Sequence, residues 1–195
     1  MRKYEEDHYK MEEIQDQIYP WVKKDLFDSQ ALGGKHFSEK DAPIIAFIND
    51  LKIMFVIKRG EELYEVLMDS MLPPETDILA LYQKACENLA RDVEFVVGNT
   101  MYGAFGILAD GMHEASSLCL QSIWTVCAEK LQDDLVIAVP RKDTVLFAAR
   151  SDEKALEKMR IHTDASYEQG EDKISTDFLI FEKDTKELKV YEAED

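Results

Sequence analysis

The residues with the most chemical promise lie in the stretch DGMHEASSLCL, Asp110 to Leu120. His113 and Glu114 are followed by Ala115, Ser116 and Ser117, one residue short of the H-E-x-x-H helix of zinc peptidases. That helix needs two imidazoles one turn apart, so that both lone pairs meet one Zn²⁺ while the glutamate activates a water. Ser117, a poor zinc ligand, stands where the second histidine would be. A remote carboxylate or His162 could complete another metal site, but no spacing points to one. A helix start accounts for the same residues at less cost. Asp110-Gly111 would make the turn, Asp110 would cap, and Glu114 in the first turn would suit the positive end of the helix dipole. His113 would then be a surface residue, and its replacement by alanine would change stability by about 0.5 kcal/mol or less.

Other candidates carry less. Ser151-Asp152-Glu153-Lys154 has the S-x-x-K spacing of a serine–lysine acylase. The lysine of such a pair must be desolvated, whereas Asp152, Glu153 and Glu157 would hold Lys154 protonated. Ser151 reads better as a helix N-cap. Ser116 and Ser117 lack the G-x-S-x-G elbow, and Gly103-Ala104-Phe105-Gly106 is a strand with small residues rather than a phosphate cradle. Carboxylate pairs such as Asp133-Asp134 are too common in this chain to single out. Met68, Met71 and Leu72 before Pro73 fit a covered core edge better than an exposed docking edge.

These residues must be held by elements that the apolar pattern outlines. Tyr4, His8, Met11, Ile14, Ile18 and Val22 recur at helical spacing, which predicts an amphipathic helix from about Lys3 to Phe27, kinked at Pro20 with Trp21 as its anchor. Gly33-Gly34 marks the loop that follows. Pro43–Ile48, Leu51–Ile57 and Leu63–Leu67 have strand character and suggest an antiparallel meander. A helix with Thr76 or Pro74 near its start carries Ile78, Tyr82, Ala85, Cys86 and Leu89. Val93–Val97 and Tyr102–Leu108 read as a hairpin around Gly98-Asn99. A helix through Ala115, Cys119, Ile123, Cys127 and Leu131 follows. Leu135–Val139 is apolar on both faces, as in a central strand, and Pro140–Asp143 turns it into Thr144–Ala149. A helix capped by Ser151, with Ala155, Met159 and His162 on its apolar side, precedes a last hairpin of Phe178–Phe181 and Leu188–Tyr191.

Composition bounds the function classes. The 195 residues include 40 acids against 23 bases, for a formal charge of −17. Such a surface repels phosphate backbones and anionic headgroups, so neither nucleic-acid nor membrane binding is expected. The charge serves solubility, or else meets a basic protein partner. The candidate face for such a partner is the N-terminal helix, where Glu5, Glu6, Glu12, Glu13 and Asp16 lie off the apolar stripe, diluted by Arg2, Lys3 and Lys10. The opening MRKYEEDHYK lacks the apolar region of a signal peptide, and no run approaches a membrane span, so a cytoplasmic protein is expected. Cys86, Cys119 and Cys127 form no C-x-x-C. Cys119 and Cys127 lie too far apart on one predicted helix to bond, and all three read as small buried hydrophobes.

From about Arg59 onward, several signals come in a distinctive order. They are LYQKACENLARDV, a Gly-Asn hairpin, ADGMHEASSLCL, LVIAVPRKDTVLFAA and ISTDFLIFEKDTKELKV. In this order the chain resembles the YtpQ-like proteins, an uncharacterised cytosolic family of Bacillus and related Firmicutes. The resemblance covers roughly the last two-thirds of the chain. It places Asn88-Leu89, Asp110-Gly111, Ala115-Ser116, Val139-Pro140 and Asp143 on the family's recurrent positions. His113-Glu114 is a departure, with a one-residue expansion after Gly111, and the N-terminal helix is another. The resemblance implies a fold and no activity, and it counts against a zinc site on His113.

The sequence therefore predicts a single α+β domain over 1–195. A mixed, mainly antiparallel sheet is covered by helices, with a sub-lobe over 1–72 and a family-like core over 73–195. The favoured function is a non-catalytic binding protein that uses an acidic surface or a sheet edge, with no metal and no cofactor. The alternative is a small hydrolase or metal-dependent enzyme centred on Asp110, His113, Glu114 and Asp143.

Overall fold

The computed structural model describes residues 10–24, 40–61 and 63–192. The chain is α+β, built on two antiparallel sheets with helices packed against them. Every strand pair among the described residues is antiparallel, so the expected mixed sheet is replaced by two separate antiparallel ones.

The N-terminal helix is the largest correction. Only Met11–Ile14 (α1) is α-helical, followed by a short 3-10 turn, and Ile18–Lys23 is a strand, β1. Tyr4, His8, Glu5 and Glu6 lie outside the described residues, as do Phe27 and Gly33-Gly34. The reason is an ambiguity of spacing: residues four apart share a face in a helix and also in a strand. Ile18 and Val22 do share a face, but the residues between them, Tyr19, Pro20 and Trp21, are buried as well. A run buried on both sides, rich in β-branched and aromatic residues, belongs in a sheet. Pro20, which would disrupt a helix, is tolerated because β1 lies at a sheet edge.

The first sheet centres on Lys52–Lys58 (β3), whose five inner residues are buried. β1 pairs along the whole of one side of β3, from Ile18↔Ile57 to Lys23↔Lys52. Ile45–Ala46 (β2) and Tyr64–Val66 (β4) then share the other side, at opposite ends. The expected meander is thus present, with β1 added to it.

Ile78–Asp92 (α2) follows, capped by Asp77, whose carboxylate accepts from the Leu79 and Ala80 amides. Asp77, rather than Thr76 or Pro74, starts the helix. Buried Asn88 donates its side-chain amide to the carbonyls of Gln15 (2.7 Å) and Ile18 (2.9 Å) and so fixes α2 to the start of β1.

The second sheet has six strands. Val96–Asn99 (β5) and Phe105–Leu108 (β6) form a hairpin, and Gln121–Leu131 (α3) follows. Leu135–Arg141 (β7), Thr144–Ala149 (β8), Glu153–Gln169 (α4), Phe178–Phe181 (β9) and Leu188–Val190 (β10) complete the chain. The spatial order is β10-β9-β7-β8-β6-β5. β7 is interior and fully buried up to Pro140, as its two-sided apolar pattern predicts, and its register with β8 shifts between Ala138 and Arg141, around the donorless Pro140.

Alternation divides this sheet into two faces. Val136, Ala138 and Ala148 pack under Ala155 and Met159 of α4. Leu135, Ile137 and Phe147 face the other way, toward Trp124, Cys127 and Ala128 of α3, and share one core with Ile53, Phe55 and Ile57 of β3 and Leu81 and Ala85 of α2. The α4 reading needs two corrections. Asp152, not Ser151, is the N-cap, accepting from the Ala155 amide, and Thr163 takes the buried place given to His162. His162 is exposed and stacks on Tyr102, with ring centroids 4.3 Å apart.

Candidate functional site

The 110–119 segment is built from its turn upward. Gly111 adopts φ +80°, a left-handed backbone that a side chain would strain. The carboxylate of Asp110 accepts from the Met112 and His113 amides, both at 3.0 Å, and so closes the turn as expected. No α-helix grows from it. Ala115–Cys119 is a 3-10 turn, the chain breaks at Leu120, and α3 begins only at Gln121.

This geometry turns His113 inward. The ring is fully buried, with Nδ1 2.8 Å from the Asp110 carboxylate, so the surface placement is wrong. Tyr19 and Tyr64 flank it at centroid distances of 5.4 and 5.2 Å. Burial pushes the imidazole pKa down, against the opposing pull of Asp110, and keeps the ring neutral near pH 7. For Asp110 burial works upward, but the hydrogen bonds from the His113 ring and from the Met112 and His113 amides hold its carboxyl below the usual range. Neutral His113 therefore carries its proton on Nδ1, and Nε2 presents a lone pair.

An aspartate-oriented imidazole with a free Nε2 is half of a hydrolytic triad. The other half is missing among the described residues. Nε2 has no hydrogen-bond partner, the Ser117 hydroxyl has none either, and the Ser116 hydroxyl donates to the Pro20 carbonyl at 2.6 Å. Glu114 turns back to accept from the Ala109 (3.0 Å) and Gly111 (2.9 Å) amides through Oε1, which makes it a brace of the turn rather than a water-activating base. Asp143 is not part of this group. It is exposed in the β7–β8 turn, where its carboxylate pairs with Arg141 at 3.1 Å and accepts from the Thr144 hydroxyl. Among the described residues no three His, Cys, Asp or Glu side chains are placed to hold a metal ion. The structure thus brings Asp110, His113 and Glu114 together, leaves Asp143 apart, and seals the imidazole beneath two tyrosines.

The acidic face expected near the N-terminus is also altered. Asp16 is held by Lys84 at 2.6 Å and lies 3.8 Å from Arg91, which lowers its pKa, first through the Lys84 hydrogen bond. Glu13 lies 4.0 Å from Lys10. Neither carboxylate stands in an uncompensated patch.

Two features escaped the sequence reading. Cys86, Cys119 and Tyr82, given no relation by their spacing, perturb one another's titration: the Cys86 thiol is held below the usual thiol value, while Cys119 and Tyr82 are pushed up. The second lies at the end of the six-stranded sheet. β5 is an edge strand, and its apolar residues are not covered: Val96 is 49% exposed, Val97 46%, and Leu108 on β6, opposite Val96, 57%. On the α3 face, Val97, Phe105, Phe147, Val126, Cys127 and Leu131 line a groove of about 280 Å³, with Lys130 as the charged lining residue. The signal was present in the sequence, since VVGN carries neither the charge nor the proline that usually guards an edge. Without the strand order, however, nothing shows that β5 is an edge.

No helix among the described residues is long and apolar enough to cross a membrane. Compared with family models, with curated proteins and with solved structures, the chain matches none.

Proposed function

We propose that this protein is a non-catalytic binding protein that takes an extended segment of a basic partner protein as an added strand on β5. The observation that carries this reading is the uncovered β5 edge, where backbone groups able to pair a further strand lie between exposed valines and an apolar groove. In such strand addition the main chain supplies affinity, and pockets for alternate side chains supply selectivity. Val97 and the groove would take one set of apolar side chains, and Val96 with Leu108 the other. Exposed Glu94 stands two residues before β5, and the net charge of −17 attracts a basic partner and steers it. Kinship with the YtpQ-like proteins is part of the same proposal and adds no activity to it.

The hydrolase reading rests on the Asp110–His113 pair. The burial of Nε2, the absence of a hydroxyl partner for it among the described residues, and the separate position of Asp143 all weigh against it.

Selection from a displayed library of short peptides tests the binding reading. Peptides that bind the native protein should alternate apolar and polar residues, carry lysine or arginine, and lose binding to a Val97→Lys variant. A selection that yields no binders, or binders indifferent to Val97→Lys, overturns it.

A further inference from the structure

The groove beside β5 has a chemistry of its own, set by one side of α3 and one face of the sheet. Val126 and Lys130 are four residues apart on α3, as are Cys127 and Leu131, so the four side chains share one side of the helix. On the sheet, Phe105 of β6 pairs with Phe147 of β8 and with Asn99 of β5. Val97, two residues before Asn99, therefore lies on the same sheet face as the two phenylalanines. Their rings are 5.3 Å apart with an interplanar angle of 24°, and both line the groove. The groove is open because α3 packs against β7, in the sheet interior, and leaves Val97 on the outer strand 46% exposed.

We infer that this groove is a binding site for a small aromatic carboxylate, whose ring system lies against Phe105, Phe147 and Leu131 and whose carboxylate pairs with Lys130. The volume sets the size of the ligand. At about 280 Å³ the groove exceeds the roughly 150 Å³ that holds benzene in an apolar cavity and is close to the lower end of ligand sites, about 300 Å³. A two-ring molecule suits it. The lining sets the chemical class. The walls are aliphatic and aromatic, and Lys130 is the charged lining residue. A lysine so placed lays its methylene stem along the apolar wall and keeps its ammonium at the wet rim. Among the described residues the Lys130 side chain forms no ion pair and no hydrogen bond, so an anion at the rim gains a cation that nothing else holds. The net charge of −17 opposes such an anion only weakly, because exposed charges beyond about 8–10 Å are screened at physiological salt. Glu129, beside Lys130 in the sequence, lies 3.9 Å from Lys186 and is thereby compensated.

This is the groove invoked for strand addition, but the inference rests on its lining alone. A protein that binds the acid and no peptide sinks only the strand reading. One that binds peptides and no acid sinks only this inference.

The test is to titrate the intact protein with naphthalene-2-carboxylate and with naphthalene-2-methanol, its uncharged counterpart, and to follow the amide signals by NMR. The acid should bind saturably, with a dissociation constant of about 1 mM or below, and should shift the amides of Val97, Phe105 and residues 126–131. The acid should be preferred over the alcohol by about two- to fivefold, the range for an exposed ion pair, and Lys130→Gln should remove that preference. Val126→Glu, a change at a half-exposed site that puts a carboxylate into the groove, should abolish binding of the acid. Ile161→Glu, on α4 and the other face of the sheet, should bind as the parent does. The absence of saturable binding, binding indifferent to Val126→Glu, or an acid preference that survives Lys130→Gln would overturn the inference.

Discussion

Replacing His113 by alanine should be among the most damaging single changes in this chain, for reasons of packing rather than chemistry. The ring is fully buried between Tyr19 and Tyr64, so truncation empties a ring-sized site. For buried aromatic rings that costs about 3–5 kcal/mol. Loss of the hydrogen bond to the Asp110 carboxylate adds about 1.5–3 kcal/mol, the range for bonds to charged groups. Removing the unpartnered Nε2 returns about 1–3 kcal/mol, the usual cost of a buried polar atom left without a partner. The last two contributions nearly cancel, so His113→Ala should cost about 3–5 kcal/mol, the cavity term alone. At about 2–4 °C per kcal/mol for a chain of this size, the melting temperature should fall by about 6–20 °C. His113→Phe separates the contributions, because it fills the site, loses the Asp110 bond and removes the orphaned nitrogen. It should cost no more than about 1.5 kcal/mol, the range for volume-conserving core changes. Urea unfolding followed by tryptophan fluorescence, read as the midpoint at constant slope, measures both. A His113→Ala variant within about 0.5 kcal/mol of the parent would match a surface residue and refute the buried placement.

Further outcomes follow from the same structure. Because burial depresses the His113 pKa, the folded state binds fewer protons there than the unfolded state. Stability should be full above about pH 6.5 and fall as pH drops through the folded pKa, with a second loss below about pH 4 from Asp110. The first loss should vanish in His113→Phe when unfolding midpoints are compared across pH. Ile137→Ala, at the fully buried centre of β7, should cost about 2–5 kcal/mol in denaturant unfolding, and an unchanged midpoint would displace β7 from the sheet interior. Asp152→Ala should cost about 1 kcal/mol as loss of the α4 cap, while Ser151→Ala, which removes no cap, should leave the melting temperature nearly unchanged.

The sequence carried the fold class and most elements from residue 43 onward, because there the signals are local. The two-sided apolar run at Leu135–Val139, the turn at Asp110-Gly111 and the periodicity of α2 each have a single good reading. It failed where one spacing supports two structures. Ile14, Ile18 and Val22 satisfy a helix and a strand alike, and only pairing with β3 decides between them. It failed again where burial depends on distant chain. Nothing in HEASS foretells that β1 supplies Tyr19 and that β4 supplies Tyr64 to cover His113. A capping serine and a capping aspartate side by side, Ser151 and Asp152, cannot be separated without knowing which backbone turns first. The mutual influence of Cys86 and Cys119 on their titration joins residues from different elements, and composition argued only for buried thiols. The β5 edge was visible as an unguarded VVGN, but its outer position comes from the strand order.

The most direct test of the central claim is site-specific photo-crosslinking in living cells. One photoreactive side chain is placed at Val97 on the β5 edge, and another at Ile161, which is also exposed, on α4. If β5 is the docking edge, irradiation should yield a discrete protein adduct at position 97 and none at 161. Peptide mapping should place the link in an extended, lysine- or arginine-bearing segment of the partner. Equal adducts at both positions, or no adduct at position 97, would contradict it.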